Sequence, residues 1–244
     1  MKESYQIEDV LDREKLASFL AKEGQHLLPF VNLVEGTRLV IPEFMKEIIA
    51  SISIEARRHS EINQNSGVSV RMTIDNYENM ASQALKRALI NHEREAAPRI
   101  SDLAFTAASS MGKIEFDCLE PERDHLVMHQ VVNAAVRKVF FQHFQADPFH
   151  AFLRSLGEDA EIEISELTPA RAIIDILRQS GLPLDEVQAR VDGSAESVLA
   201  SALEMVLEGL HQQGLLGKRI SGPDVIYAKG GASIGANSGE GKRA

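Results

Sequence analysis

The sequence predicts a mainly α-helical protein with a small β-hairpin near its C-terminus. Apolar residues recur at helical spacing over most of the 244 residues. Aromatic residues make up only 5% of the chain and tryptophan is absent, so the core must rest on leucine, isoleucine, valine and alanine. Two short apolar stretches flank the turn-rich tetrapeptide 221–224, and we expect them to pair as a hairpin.

Five helices are expected within residues 1–157, which we interpret as one helical domain. Pro42 is a favourable first-turn residue for the second helix. The third helix follows a polar turn and keeps one face apolar. Ser101 and Asp102 are expected to cap the fourth, which ends at Gly112. The five helices are expected at residues 11–28, 42–58, 70–91, 101–112 and 121–145.

The character of the chain changes after Gly157. Residues 158–166 contain five acidic side chains, and we interpret them as a solvated, mobile link. Beyond it, Ser194 is the expected cap of the last of three helices. These helices and the two strands are expected at residues 168–178, 184–191, 194–213, 215–220 and 225–228. This is the element order of a winged-helix module, so residues 158–228 are predicted to form a winged-helix-like unit, followed by a disordered tail at 229–244.

The bulk composition excludes several classes of function. A formal net charge of −10 argues against general affinity for nucleic acid, which requires a basic surface. Cys118 is the only cysteine, so an internal disulfide and a cysteine zinc cluster are excluded, and we interpret it as a packing residue. No apolar run reaches membrane-spanning length, and acidic residues follow the N-terminus where a signal peptide would be apolar. We therefore expect a soluble, cytoplasmic protein.

A histidine pair on the long helix is the only pattern that suggests a metal. His125 and His129 are four residues apart, the separation used by paired zinc ligands. The glutamate base of the metalloprotease pattern is missing, and His143 lies too far along the helix to complete the site. We interpret these histidines as ordinary surface or core residues and predict no metal site.

The segment before the third helix places a fixed positive charge at an unusual position. Gly67 supplies a flexible backbone, and Ser69 can accept a hydrogen bond from an amide of the first helical turn. Arg71 then lies beside exposed N–H groups and the positive end of the helix dipole, which disfavours a cation. A phosphate bound there would relieve this conflict. The alternative is a surface arginine after an ordinary helix start, and Arg57 and Arg58 are basic neighbours that a solvated helix end explains equally well.

The motifs of a complete ATPase are missing. No segment fits the phosphate-binding pattern G-x-x-x-x-G-K-[ST], because Gly112-Lys113 lacks the upstream glycine and the following hydroxyl. No apolar strand ends in Asp-Glu to hold Mg²⁺. We therefore expect that this chain does not hydrolyse ATP by itself.

Several ordered motifs nevertheless resemble the ChlI-like AAA+ ATPases, which are related to the magnesium chelatase ATPase subunit and the MoxR branch. The central one is Ser66-Gly67-Val68-Ser69-Val70-Arg71. The other matching segments are residues 40–49, 56–58, 74–78, 98–103, 112–115 and, more loosely, 203–211. The resemblance covers residues 35–116 well, and one departure is Asn65, where the family often has arginine.

The resemblance implies that residues 1–157 form the helical lid of such an ATPase with flanking helices, and that the chain is its C-terminal part. Arg71 would be the sensor arginine that reaches the γ-phosphate, with Gly67 and Ser69 shaping its turn. ATP and Mg²⁺ would be held mainly by a core absent from this chain. The implied partners are that AAA+ core, neighbouring subunits in a homo-oligomeric ring, and a protein that ATP hydrolysis remodels.

The alternative function is a stand-alone winged-helix-like module for protein interaction or transcription regulation. Its third helix would be the one that reads DNA, yet residues 194–213 contain Glu196, Glu204 and Glu208 and no lysine or arginine. DNA phosphates repel such a helix. We therefore expect this unit to contact protein rather than nucleic acid.

Overall fold

The computed structural model describes residues 36–63, 68–111, 113–117 and 123–230. Within these ranges the chain is mainly helical, with eight α-helices and two small β-sheets. The helices are α1 (Glu43–Ala56), α2 (Val70–Ile90), α3 (Ala104–Met111), α4 (Arg123–His143), α5 (His150–Ser155), α6 (Ala170–Gln179), α7 (Leu184–Gln188) and α8 (Glu196–Gln212). The strands are β1 (Arg38–Leu39), β2 (Glu95–Ala96), β3 (Glu161–Ser165), β4 (Leu216–Ser221) and β5 (Asp224–Lys229).

The prediction of a mainly helical fold with a C-terminal hairpin is confirmed. The helices expected from apolar periodicity at 42–58, 70–91 and 121–145 are α1, α2 and α4, each within a few residues of the expected ends. Strands β4 and β5 pair as an antiparallel hairpin around the predicted turn. The helix expected at 11–28, Gly67, Cys118 and most of the predicted tail lie outside the described residues.

The interpretation of residues 158–166 as a solvated, mobile link is wrong. Residues 161–165 form β3, which pairs antiparallel with β5, so the sheet has the order β3-β5-β4. Ile162 and Ile164 are buried, whereas Glu161 and Glu163 point outward. Alternating burial is the pattern of a strand with one face on the core. The prediction failed because it was based on the net acidity of the segment and not on the alternation of its apolar and acidic residues.

Three helix boundaries differ from the predicted ones. The N-cap of α8 is Ala195 rather than Ser194. A 3-10 turn at Ile100–Leu103 precedes α3, and there the Asp102 carboxylate accepts a hydrogen bond from the Arg99 amide at 2.8 Å. Helix α7 ends at Gln188, earlier than expected, and the Gln188 side chain donates to the Gly193 carbonyl at 2.7 Å. That bond helps to close the turn before α8.

Helix α8 is the central element of the core. Every residue from 200 to 210 is buried, which is expected for a helix surrounded by other elements on all sides. It packs against α4, α6 and β4. The backbone of Gly209 lies so close to Phe140 of α4 that a side chain there would overlap the ring. One apolar cluster runs from Phe44 on α1 to Tyr227 on β5.

Candidate functional site

Ser69 caps the start of α2 as expected. Its backbone is extended, and its hydroxyl accepts a hydrogen bond from the Met72 amide at 3.3 Å. A second anchor comes from α1, where the Arg57 guanidinium donates to the Val68 carbonyl at 2.6 Å. Burial lowers the pKa of Arg57. Arg57 therefore has a structural role, because it fastens the end of α1 to the beginning of α2.

Arg71 differs from Arg57 in its surroundings. Its side chain is exposed on the first turn of α2, and it forms no hydrogen bond or ion pair with any residue that the structure describes. Arg58, at the end of α1, is likewise exposed. The turn at Arg71 is thus held by Ser69 and Arg57, while the guanidinium of Arg71 keeps its hydrogen-bonding capacity toward solvent. A phosphate oxygen is a suitable acceptor for such a group.

A buried charge network joins α2 to the C-terminal part of the chain. Arg87 donates to both carboxylate oxygens of Asp102, at 2.6 and 3.0 Å. Asp102 also accepts from the amide of Arg99, whose side chain is only 1% exposed. The Arg99 Nε lies 3.5 Å from the Glu204 Oε2 on α8. The charges of two arginines and two carboxylates therefore compensate each other in the interior, away from solvent.

Arg99 also holds the loop between β3 and α6. Its two terminal nitrogens donate to the carbonyl oxygens of Glu166 at 2.8 Å and Thr168 at 2.9 Å. Burial lowers the pKa of Arg99, while the carboxylates of Glu204 and Asp102 act in the opposite direction. Sequence reasoning missed this role, because partners 67 and 69 residues apart leave no local signal. The only related signal in the sequence was that residues 98–103 and 203–211, which contain Arg99 and Glu204, both belong to the segments that resemble the ChlI-like ATPases.

A second polar cluster lies where α8 meets the hairpin. The Glu208 carboxylate accepts hydrogen bonds from Lys218 at 2.7 Å, Tyr227 at 2.9 Å and Gln212 at 2.9 Å. Burial alone would raise the pKa of Glu208, but Lys218 together with the other donors holds that pKa below its usual value of 4.5. Burial and the nearby Glu208 charge raise the pKa of Tyr227 well above its usual range. Glu208 is therefore ionised and Tyr227 neutral at pH 7.

This cluster predicts an acid-dependent loss of stability. Because the pKa of Glu208 is lower in the folded chain, its ionised carboxylate stabilises the fold above pH 4.5, and that contribution disappears as the pH falls through the folded-state pKa. We expect Glu208→Gln to be less stable than the wild type at pH 7. Between about pH 5 and about pH 3 it should lose less of its unfolding free energy than the wild type does.

Urea denaturation of the full chain at several pH values measures this difference. The control is Glu163→Gln on β3, because Glu163 is exposed and should leave the acid dependence unchanged. If the free energy of unfolding falls equally steeply with pH for Glu208→Gln and the wild type in the acid range, the assigned role of Glu208 is refuted.

The histidine pair on α4 lines a groove. His125 and His129 are exposed on α4 and line a groove of about 440 Å³ between α4, the start of α3 and the hairpin. The Nδ1 of His129 lies 3.0 Å from the Asn133 amide. Among the described residues no group of three or more histidine, cysteine or acidic side chains is arranged to hold a metal ion.

Comparisons with protein-family models, with curated proteins and with solved structures give no match to this chain. In the part of the chain that the structure describes, none of the helices combines the length and the apolar character needed to cross a membrane.

Proposed function

We propose that this chain is the C-terminal part of a magnesium-chelatase-like AAA+ ATPase and completes ATP sites in an oligomer. In this proposal Arg71 contacts the γ-phosphate of a nucleotide held mainly by an AAA+ core absent from this chain, and the helical lid moves as ATP is hydrolysed to remodel a partner protein. The proposal rests on the ordered motifs around Arg71 and on their resemblance to that family. The observation that carries it is the exposed Arg71 guanidinium on a turn fixed by Ser69 and Arg57.

The chemistry of the described residues fits one part of the cofactor. Arg71 is suited to a phosphate, because a guanidinium stays charged and can donate to two oxygens at once. Nothing comparable suits Mg²⁺, since the described residues contain no ligand cluster and the sequence has no Walker B carboxylate. We therefore assign Mg²⁺ and most phosphate contacts to the AAA+ core, and Arg71 would supply positive charge beside the γ-phosphate.

Replacing Arg71 tests the proposal. The full chain is joined to, or mixed with, a P-loop core of a magnesium-chelatase-like ATPase, and phosphate release is measured with Arg71→Ala and Arg71→Lys. We expect Arg71→Ala to lower ATP turnover by about tenfold, the effect of one lost charge-assisted hydrogen bond. Arg71→Lys should recover part of the rate, because lysine keeps the charge but not the two-pronged geometry.

Arg58→Ala is the matched control, because Arg58 is another exposed arginine close in sequence to the same turn. Thermal melts should show unchanged stability for both alanine variants, since neither side chain is buried. If Arg71→Ala leaves turnover and ATP-dependent assembly at the level of Arg58→Ala, the sensor role is wrong.

The alternative function, a stand-alone winged-helix-like module, has partial support. Three helices lie between β3 and the β4–β5 hairpin, as a winged-helix unit requires. Its DNA-reading form loses its main element, because α8 is buried along residues 200–210 and presents no face to a major groove. A salt-dependent DNA mobility shift by the full chain would favour this form, and its absence at low salt would end it.

A further inference from the structure

The groove between α4, the start of α3 and the hairpin, here called the hairpin groove, is an open feature that the proposed function does not use. Its volume of about 440 Å³ lies in the range of sites that hold a ligand or a short peptide segment. Its lining includes Met128 and Val132 of α4, Leu103 just before α3, and Ile220 of the hairpin. Glu204 and Glu208 reach it from α8.

The rim of the hairpin groove exposes a large apolar side chain. Ile220 on the hairpin lines the groove and is 67% exposed. Single exposed isoleucines are common on protein surfaces, but one at the edge of a cavity with apolar walls enlarges the apolar surface beyond the cavity itself. An occupant that extends past the cavity would cover it.

One carboxylate that lines the groove has no partner among the described residues. Glu204 is 4% exposed, its Oε1 accepts from the Ser101 amide at 2.6 Å, and its Oε2 forms an ion pair with Arg99 Nε at 3.5 Å. The Glu166 carboxylate, by contrast, forms no hydrogen bond or ion pair with the described residues.

Lys218, a cation that lines the groove, already has a partner. The Lys218 ammonium is bound to Glu208, whose carboxylate is satisfied by three donors. Because Lys218 and Arg99 already serve Glu208 and Glu204, the carboxylate left for a new donor is Glu166, and a positively charged donor suits it best.

We propose that the hairpin groove binds a segment of a partner polypeptide that carries aliphatic side chains and one lysine or arginine. The aliphatic groups cover Ile220 and the walls around Met128, and the basic group donates to the Glu166 carboxylate. The net charge of −10 attracts a basic partner over longer distances. The exposed rim favours a polypeptide over a small amine, which would fill the cavity and leave the rim uncovered. This inference does not depend on Arg71 or on a nucleotide.

Synthetic peptides test the inference on the full chain. The probe is a fluorescein-labelled library of ten-residue peptides with leucine or isoleucine at two positions and lysine, norleucine or glutamate at a third. Fluorescence anisotropy measures affinity, and the ¹³C-methyl signal of Met128 reports whether a peptide lies in the groove. We expect the best lysine peptides to bind about tenfold more tightly than their norleucine twins and to shift the Met128 signal.

Two variants with matched controls locate the binding. Ile220→Asp should weaken binding about tenfold, whereas Ile90→Asp, at an exposed isoleucine outside the groove, should not. Glu166→Gln should reduce the preference for lysine over norleucine, whereas Glu163→Gln on β3 should not. All four positions avoid the fully buried core, so the variants are expected to fold.

Three results would overturn the inference. The first is equal affinity for lysine and norleucine peptides, and the second is equal loss with Ile220→Asp and Ile90→Asp. The third concerns Leu16 and Leu20, which apolar periodicity places on one face of the helix expected at residues 11–28. If Leu16→Asp and Leu20→Asp move the Met128 signal without any peptide, the groove is filled by this chain's own N-terminal segment.

Discussion

Replacing Arg99 with alanine is expected to lower the free energy of unfolding by about 3–5 kcal/mol, the usual cost of removing one partner from a buried ion pair. The variant leaves Glu204 without its nearest cation and deprives the carbonyl oxygens of Glu166 and Thr168 of their donors. Asp102 keeps Arg87, so half of the network survives. Urea denaturation followed by circular dichroism measures the loss.

The control for Arg99 is Arg171→Ala. Arg171 is exposed and forms ion pairs with Asp175 and Glu196 at the surface, so its removal should lower the free energy of unfolding far less than the removal of Arg99 does. Combining Arg99→Met with Glu204→Gln removes the uncompensated carboxylate, and the double variant should be more stable than Arg99→Met alone. Equal costs for Arg99→Ala and Arg171→Ala would show that the network contributes little.

Gly209→Ala is expected to destabilise the fold by about 3 kcal/mol, although glycine to alanine inside a helix normally stabilises by about 0.5–1 kcal/mol. A Cβ on Gly209 would lie 2.0 Å from Phe140 Cδ2 and within 2.4 Å of two further ring atoms. Phe140 is fully buried and stacks on Phe144 at 6.1 Å, so the ring has no space to move. Helices α4 and α8 would have to separate.

The expected destabilisation by Gly209→Ala is opposite in sign to the usual effect of this substitution in a helix, so the measurement gives a clear answer. Gly157→Ala is the control, because a Cβ there would meet its nearest neighbour, Ala160, at an ordinary 3.7 Å, and we expect a change within about 0.5 kcal/mol. Phe140→Ala alone should cost about 3–5 kcal/mol through the cavity it leaves. Together with Gly209→Ala the cost should be roughly 2 kcal/mol below the sum, because the ring no longer collides. Strict additivity would contradict the proposed contact.

Local patterns in the sequence predicted much of the fold. Helices α1, α2 and α4 follow from apolar periodicity, and the hairpin follows from its turn residues, because both signals lie within one element. Strand β3 was missed because its glutamates dominated its composition, although Ile162 and Ile164 alternate with them as a half-buried strand requires.

In the candidate site, too, local features could be predicted from the sequence and long-range ones could not. The Ser69 cap depends on residues three apart and could be predicted, whereas the environment of Arg99 depends on residues that only the tertiary fold brings together. A buried arginine and an exposed one look alike in sequence. The hairpin groove likewise arises between elements, and the only sequence signal near it was a histidine pair that suggested a different chemistry.

The length of α2 has a mechanical consequence. Its 21 residues extend for about 30 Å, with Arg71 in the first turn and, just past the last, Asn91, which donates to the Leu167 carbonyl at 2.9 Å. A tilt of about 10° at the Arg71 end would displace Asn91 by about 5 Å if the helix stays straight. The loop between β3 and α6 would have to follow, because Asn91 and Arg99 both hold its carbonyl oxygens. A small rotation at one surface of the molecule is thus converted into a larger displacement at another.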